Sequence, residues 1–290
     1  MIRPFTYLRP ESIDETVRLL AEHGPDARLL AGGTDLIIRL RDGSQRPSVV
    51  IDTKRIGDLQ PRLSVADGRL IVSATAVMTD LVNDATVRRL FPALAEAAVV
   101  VGSVQIRNRA TLAGNVCNAS PAADTIPALL VYDAMAVVAG LVGERRMPVD
   151  DLFVRSGQTT LAGDEFITAF ELPLPTRRAG SVHLRRTRRR GHDLAAVTLA
   201  CAIDEDGVTR LAYGSVGPRP VLAIDRSGVL AHPTGPEAAR TAILGQMLAG
   251  AAPSPTSMRA GPTYRLAMLQ VLVERGLATA AARLALAEQP

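Results

Sequence analysis

The run Arg28-Leu29-Leu30-Ala31 has strand character and ends directly in Gly32-Gly33; after Thr34-Asp35 the chain is apolar again through Leu36-Ile37-Ile38. Adjacent glycines at a strand end allow a sharp turn and a close backbone approach to another group. Successive N–H groups in such a turn form a concavity suited to an anion, and Thr34 adds a hydroxyl. An unliganded strand-end turn would use the same residues. A second loop of this kind, Thr111-Leu112-Ala113-Gly114-Asn115, is approached through Arg107-Asn108-Arg109, which bring positive charge. Behind it come Cys117, Asn118, Ser120 and Asp124, a polar run inside an apolar segment, as expected of a lined cleft. Two such loops, each entered from an αβ unit, point to a diphosphate held between them.

The usual nucleotide fingerprints are missing. There is no G-x-x-x-x-G-K-[ST] and no G-x-G-x-x-G, so any dinucleotide here is held by neither a P-loop nor a Rossmann fold. His23, His183, His192 and His232 have no ligand spacing with a carboxylate or a cysteine, so no metal site is expected. Cys117 and Cys201 have no paired base in sequence, and no G-x-S-x-G elbow is present. Cys117 reads as small polar lining and not as a nucleophile.

Composition narrows the class further. The 290 residues are 47% hydrophobic with a net charge of +4, which excludes a disordered chain. Two cysteines exclude a disulfide scaffold and an iron–sulfur cluster of the chain's own. Lys54 is the only lysine among 33 basic residues. The arginine run Arg177, Arg178, Arg185, Arg186, Arg188, Arg189 and Arg190 has no aromatic residue interleaved, which argues against stacking on nucleic acid. It reads as a solvated face or as one or two specific contacts. The opening MIRPFTYLRP has no apolar h-region, and the longest apolar stretch, Ile126 to Val142, is broken by Asp133. A cytoplasmic protein without a membrane span is therefore expected.

Periodicity supplies a coarse map. Ser12-Ile13-Asp14-Glu15 is a capping box for a helix carrying Val17 and Leu20, which Gly24-Pro25 ends. Val49 to Asp52 is a strand. Leu63 to Val77 holds a hairpin around Asp67-Gly68, and Thr79-Asp80 caps a helix carrying Leu81, Val82 and Val87. A further helix runs from Pro92, and strands are expected at Ala134–Ala139 and Phe166–Leu172, ended by Pro173 and Pro175. Leu194–Ile203 and Val208–Val216 flank Asp206-Gly207 as another hairpin. From Gly235 the pattern is helical, apart from a Pro/Ser loop at Ala251–Gly261.

Leu30–Asp35 (LAGGTD) and Thr111–Asp124 (TLAGNVCNASPAAD), preceded by Gln105-Ile106-Arg107-Asn108, resemble the FAD-binding medium subunit of the molybdenum hydroxylases, the family of xanthine dehydrogenase and carbon monoxide dehydrogenase. GSVGPRP, ending at Pro220, and Met258–Arg275 with its Tyr264-Arg265 pair are similar to that family's C-terminal domain. The likeness covers nearly the whole chain. It implies an α+β fold: a two-part FAD-binding domain of the vanillyl-alcohol-oxidase (PCMH) type, over residues 1–56 and 57–176. A C-terminal domain, residues 177–290, would follow as a three-stranded antiparallel sheet with a helical bundle.

The resemblance also implies roles. Leu30, Ala31, Gly32, Gly33, Thr34, Asp35 and Leu36 match the first FAD loop, and Thr111, Ala113, Gly114 and Asn115 the second. Val101 belongs to the same cofactor site. Asp124 matches a residue serving the adenosine half, Ile167 an apolar residue near the flavin, and Arg185 a cation beside the pyrimidine end of the ring. Ala113 stands where many members have Gly, which requires a negative φ there. Leu194 stands where carbon monoxide dehydrogenases have an aromatic shield for the ring. The implied function is electron transfer: from 2Fe-2S clusters on a small partner subunit, through non-covalent FAD, to NAD+ or a quinone. The molybdopterin centre would lie on a large partner subunit, and the assembly would be a dimer of heterotrimers. No flavin–protein bond is implied. A stand-alone flavin oxidoreductase acting directly on an organic substrate would use the same FAD site.

Overall fold

The structure is a computed structural model and describes residues 2–189, 191, 193–232 and 236–287. Arg190, His192 and Gly235, each named in the sequence reading, lie outside the described residues.

The first unit contains β1 (Thr6–Leu8), α1 (Ile13–His23), β2 (Ala27–Leu30), α2 (Leu36–Asp42) and β3 (Val49–Asp52). Ser12 caps α1 by accepting from the Glu15 N–H at 3.1 Å, while the Glu15 carboxylate returns to the Glu11 N–H at 2.9 Å. The strands form a parallel sheet in the order β1-β3-β2, so β2 is an edge strand and the first glycine loop leaves from an open side.

The second unit begins with the hairpin β4 (Leu63–Ala66) and β5 (Arg69–Ser73). Asp67 and Gly68 turn it with φ of 49° and 68°, as an Asp-Gly hairpin demands. Six helices follow: α3 (Met78–Asn83), α4 (Ala85–Leu90), α5 (Pro92–Val99), α6 (Val104–Arg107), α7 (Leu112–Cys117) and α8 (Thr125–Val131). The helix expected from Thr79-Asp80 starts at Met78, where Asp80 accepts from the Val77 N–H, and it breaks at Asp84, whose side chain caps α4. Then come β6 (Met135–Gly140), β7 (Gly143–Pro148), β8 (Phe153–Arg155), β9 (Gln158–Thr159) and β10 (Phe166–Pro173). The main sheet is antiparallel with the order β4-β5-β10-β6-β7.

The C-terminal part holds β11 (Ala179–Arg186), β12 (Val197–Asp204), β13 (Thr209–Gly214) and β14 (Val221–Asp225), then α9 (Glu237–Met247) and α10 (Pro262–Leu286). Its sheet has four strands and not the three expected. The apolar run behind Pro220 pairs back onto β13 as β14. Two helices stand where a bundle was expected, separated by the proline-bearing loop. Gly180 lets α10 lie close on β11: a Cβ there would sit 2.0 Å from the Ala280 carbonyl oxygen.

Alternation along the strands decides which face meets what. Leu199, Cys201 and Ile203 pack under α10, whereas the small Ala200 and Ala202 join the core of the FAD-binding part. On β11, Val182 and Leu184 face the α10 side, so Ser181, His183 and Arg185 face the other way. Each of these three meets a polar group of the second unit: Tyr132 Oη for Ser181 at 2.5 Å, and Asp124 for both His183 and Arg185. Of the two readings of the arginine run, a solvated face or one or two specific contacts, Arg185 bears out the second, on a strand with a buried polar stripe.

Candidate functional site

A cleft of about 700 Å³ runs between the two glycine loops and on to β10 and β11. At the first loop Gly33 has φ +78°, a conformation that favours glycine. Gly32 makes the closest approach in the site: a Cβ there would lie 2.1 Å from the carbonyl oxygen of Arg109, at the entry to the second loop. The two loops can touch only because residue 32 has no side chain. The N–H groups of Gly32, Gly33, Thr34, Asp35 and Leu36 find no acceptor among the described residues; the first paired ones beyond them are Ile37, to Gly33 O, and Arg39, to Asp35 O. Five consecutive free donors at a helix start form an anion cradle.

Thr111 caps α7, its Oγ1 accepting from the Gly114 N–H at 3.0 Å. Asn115 accepts from the Thr125 hydroxyl at 2.7 Å, which ties the loop to α8. Ala113 lies within α7 with no positive φ, so its departure from Gly is accommodated. Beyond the loops, Asp124 is 6% exposed and receives Arg185 Nη1 on Oδ2 at 2.7 Å. The same guanidinium donates to Val100 O at 3.3 Å. The other carboxylate oxygen, Oδ1, is buried without a hydrogen bond, with His183 Nε2 at 3.4 Å. The cleft thus offers a donor cradle at one place and a carboxylate–guanidinium pair at another.

The chain has two matching family models: the FAD binding domain in molybdopterin dehydrogenase over residues 3–175, and the CO dehydrogenase flavoprotein C-terminal domain over residues 183–280. It is 30% identical over 282 residues to the putative xanthine dehydrogenase FAD-binding subunit of Escherichia coli, covering 96% of each chain. It is also 30% identical to the carbon monoxide dehydrogenase medium chain of Hydrogenophaga pseudoflava, over 98% of this chain and 100% of that one. The solved carbon monoxide dehydrogenase from Hydrogenophaga pseudoflava superposes with a TM-score of 0.87 at 27% identity, covering 98% of this chain and 99% of that one.

The chain belongs to the FAD-binding subunits of the molybdenum hydroxylases.

In this flavin subunit the residues singled out from sequence converge with one exception. Ala31, Gly32, Gly33, Thr34, Asp35, Leu36, Val101, Thr111, Ala113, Gly114, Asn115, Asp124, Ile167 and Arg185 all line the cleft. Leu30 does not. It is the last residue of β2; its carbonyl accepts from Thr53 Oγ1 and its side chain supports the turn beneath Gly33. Asp124 is expected at the adenosine half of the cofactor and Arg185 at the pyrimidine end of the ring. The structure shows the two bonded to each other at 2.7 Å.

Other features fall into place around the cleft. Leu194 stands at its wall, 52% exposed, whereas Tyr213 is fully buried with its hydroxyl on Met247 O and is remote from it. Cys117 is exposed and opens onto the cleft. Within the arginine run, Arg177 and Arg178 pair with Asp206 and Glu205, Arg186 donates to Tyr264 Oη at 2.7 Å, and Arg188 pairs with Asp193. Among the described residues no group of three His, Cys, Asp or Glu could hold a metal ion, and no helix is long and apolar enough to cross a membrane.

Sequence reasoning missed Arg39, whose guanidinium crosses from α2 to the Asn118 side chain; both residues line the cleft. Its place four residues after Asp35 puts the two on one helix face, which was the available signal.

Proposed function

We propose that this chain is the electron-transferring flavin subunit of a molybdenum hydroxylase. Electrons arrive from iron–sulfur clusters on a small subunit and leave FAD to NAD+ or a quinone, while substrate is oxidised at a molybdopterin centre on a large subunit. The assembly is a dimer of such heterotrimers. Residues 1–56 and 57–176 form the two parts of the FAD domain, with residues 177–290 closing over it.

The observation that carries this reading is the cradle of free N–H groups at Gly32–Leu36, seated by Gly32 on the Arg109 carbonyl. A diphosphate needs dense donors without bulk, and both glycine loops supply them. FAD, when bound, supplies reversible two-electron storage. The chain's own residues bind and orient it. At the pyrimidine edge, an N–H flanked by carbonyls calls for one acceptor beside a donor, which Asp124 and Arg185 provide. Ile167 and Val101 give apolar walls that exclude water. Arg185 is an electrostatic partner for negative charge on the reduced ring. Neither glycine loop offers a His or Cys for a covalent flavin link.

The test is a pull-down of the tagged chain from its native host, with an absorbance spectrum of the eluate. The expected result is flavin and iron–sulfur bands with one large and one small co-purifying chain. Flavin on a lone chain, bleached by an organic substrate, would overturn the subunit reading in favour of a stand-alone oxidoreductase.

A further inference from the structure

His183 is a buried titratable group in contact with Asp124 to which the reading above gives no task. Its side chain is 2% exposed, and Nε2 lies 2.9 Å from Thr198 Oγ1 and 3.4 Å from the otherwise unbonded Asp124 Oδ1. A proton on Nε2 serves both oxygens, whereas a bare nitrogen there would face the carboxylate lone pairs.

We infer that His183 takes up a proton when the flavin in this cleft is reduced. The inference rests on the pyrimidine edge lying at Asp124 and Arg185.

The argument is one of charge. Asp124 and Arg185 neutralise one another at 2.7 Å. The other charged groups facing His183 are Glu96 on α5, whose Oε2 accepts from the His183 N–H, and Arg283 on α10, which pairs with Glu96 at 2.6 Å. They too cancel. A protonated imidazole in this setting is an uncompensated buried cation, which is unfavourable. Reduction changes the balance. Oxidised flavin plus two electrons and one proton gives the anionic reduced ring with the new proton on N5. The cluster then faces one net negative charge. A second proton, drawn from solvent onto His183, restores neutrality with its charge one carboxylate away from the guanidinium. The partner's clusters supply the electrons in the complex, and dithionite or an electrode supplies them in a cuvette.

The experiment is a spectroelectrochemical titration of the FAD-loaded chain over several pH values near neutrality, for wild type and His183→Gln. Gln keeps a donor for Asp124 but cannot titrate. With two protons per two electrons, the wild-type equilibrium should shift a hundredfold per pH unit, about 59 mV; the variant should shift tenfold, about 30 mV. Equal slopes overturn the proposal. Wild type gives a second reading that needs no variant. With ring-labelled histidine, one of the four imidazole signals should move to the protonated position on reduction, and no movement overturns the proposal. Failure of the underlying placement looks different. Arg185→Gln with an unchanged potential at fixed pH would remove the pyrimidine edge from this pair.

Discussion

Arg185 reaches across from β11 to place Nη1 2.7 Å from Asp124 Oδ2, at the start of α8, so the C-terminal part supplies half of an ion pair whose other half belongs to the FAD-binding part. With the flavin placed as proposed above, each member would act on it against the other. Arg185→Ala removes a cation from beside the reduced ring and should lower the midpoint potential. Asp124→Asn leaves the guanidinium unbalanced and should raise it. A shift of about 30 mV either way corresponds to a tenfold change for a two-electron couple, and that scale is expected of a partly shielded pair. Potentiometric titration at fixed pH reads both.

The glycines separate binding from folding. Gly32→Ala drives a Cβ into the Arg109 backbone, which cannot rotate away, so the loops must part. Loss of FAD together with a lower melting temperature is expected. Gly33→Val places a β-branched residue at φ +78°, a strain of about 1–3 kcal/mol confined to the turn. Gly114→Val crowds Thr111 Oγ1, 3.0 Å from the added Cβ. Both should abolish FAD retention while far-UV circular dichroism stays native. Stoichiometric flavin in either purified variant would contradict a diphosphate on these loops.

Lys54 supports the first loop from behind. Its ammonium lies 2.5 Å from Asp52 Oδ1 and 3.5 Å from the Ala31 carbonyl. Burial pushes the Asp52 carboxyl up, but hydrogen bonds from Lys54 and the Tyr7 hydroxyl outweigh it and hold the group below its ordinary 3.8. A carboxyl with a depressed folded value contributes stability above the unfolded value and loses it as pH falls through the folded one. Lys54→Met should therefore cost about 1 kcal/mol at neutral pH, with the gap to wild type closing below pH 3.8. Urea unfolding at the two pH extremes checks it.

Much of the cleft was legible because its chemistry is local. A Gly-Gly turn after a strand and a Thr-capped turn containing Gly are set by residues adjacent in sequence. Asp67-Gly68 and Asp206-Gly207 announce their hairpins for the same reason. What escaped was set by distant partners. β11 is not announced as a strand because its polar residues are satisfied by Tyr132 and Asp124, far off in the chain. β14 hides behind Pro220 because only β13 gives it a place. Asp124 and Arg185, 61 residues apart, carry no sequence sign that they touch.

The seat of α10 on β11 can be broken without touching the cleft. Gly180 faces the helix, and a Cβ would lie 2.0 Å from Ala280 O and 2.5 Å from Leu284 N. Both are helix backbone, so relief requires α10 to move outward over Val182 and Leu184. Gly180→Ala should destabilise the C-terminal part by about 1–3 kcal/mol or more, as overpacking does. Hydrogen exchange should rise in β11 and α10 before it rises in β5 and β10. Uniform exchange would mean that the two parts unfold as one.

Cys117 reports on occupancy of the cleft without any mutation. It is the only cysteine on the cleft wall; Cys201 is buried beneath α10, and burial raises its thiol. The thiolate is the reactive form of a cysteine. Alkylation of the apo chain should therefore be confined to Cys117, the exposed one of the two. Its rate should climb with pH, following the thiolate fraction. Adding FAD should suppress the reaction at every pH, because the cofactor covers the wall from which the sulfur is reached. Peptide mass spectrometry after timed labelling gives both rates. A Cys117 rate indifferent to FAD would mean that the dinucleotide does not lie along α7, and the second loop would lose its place in the site.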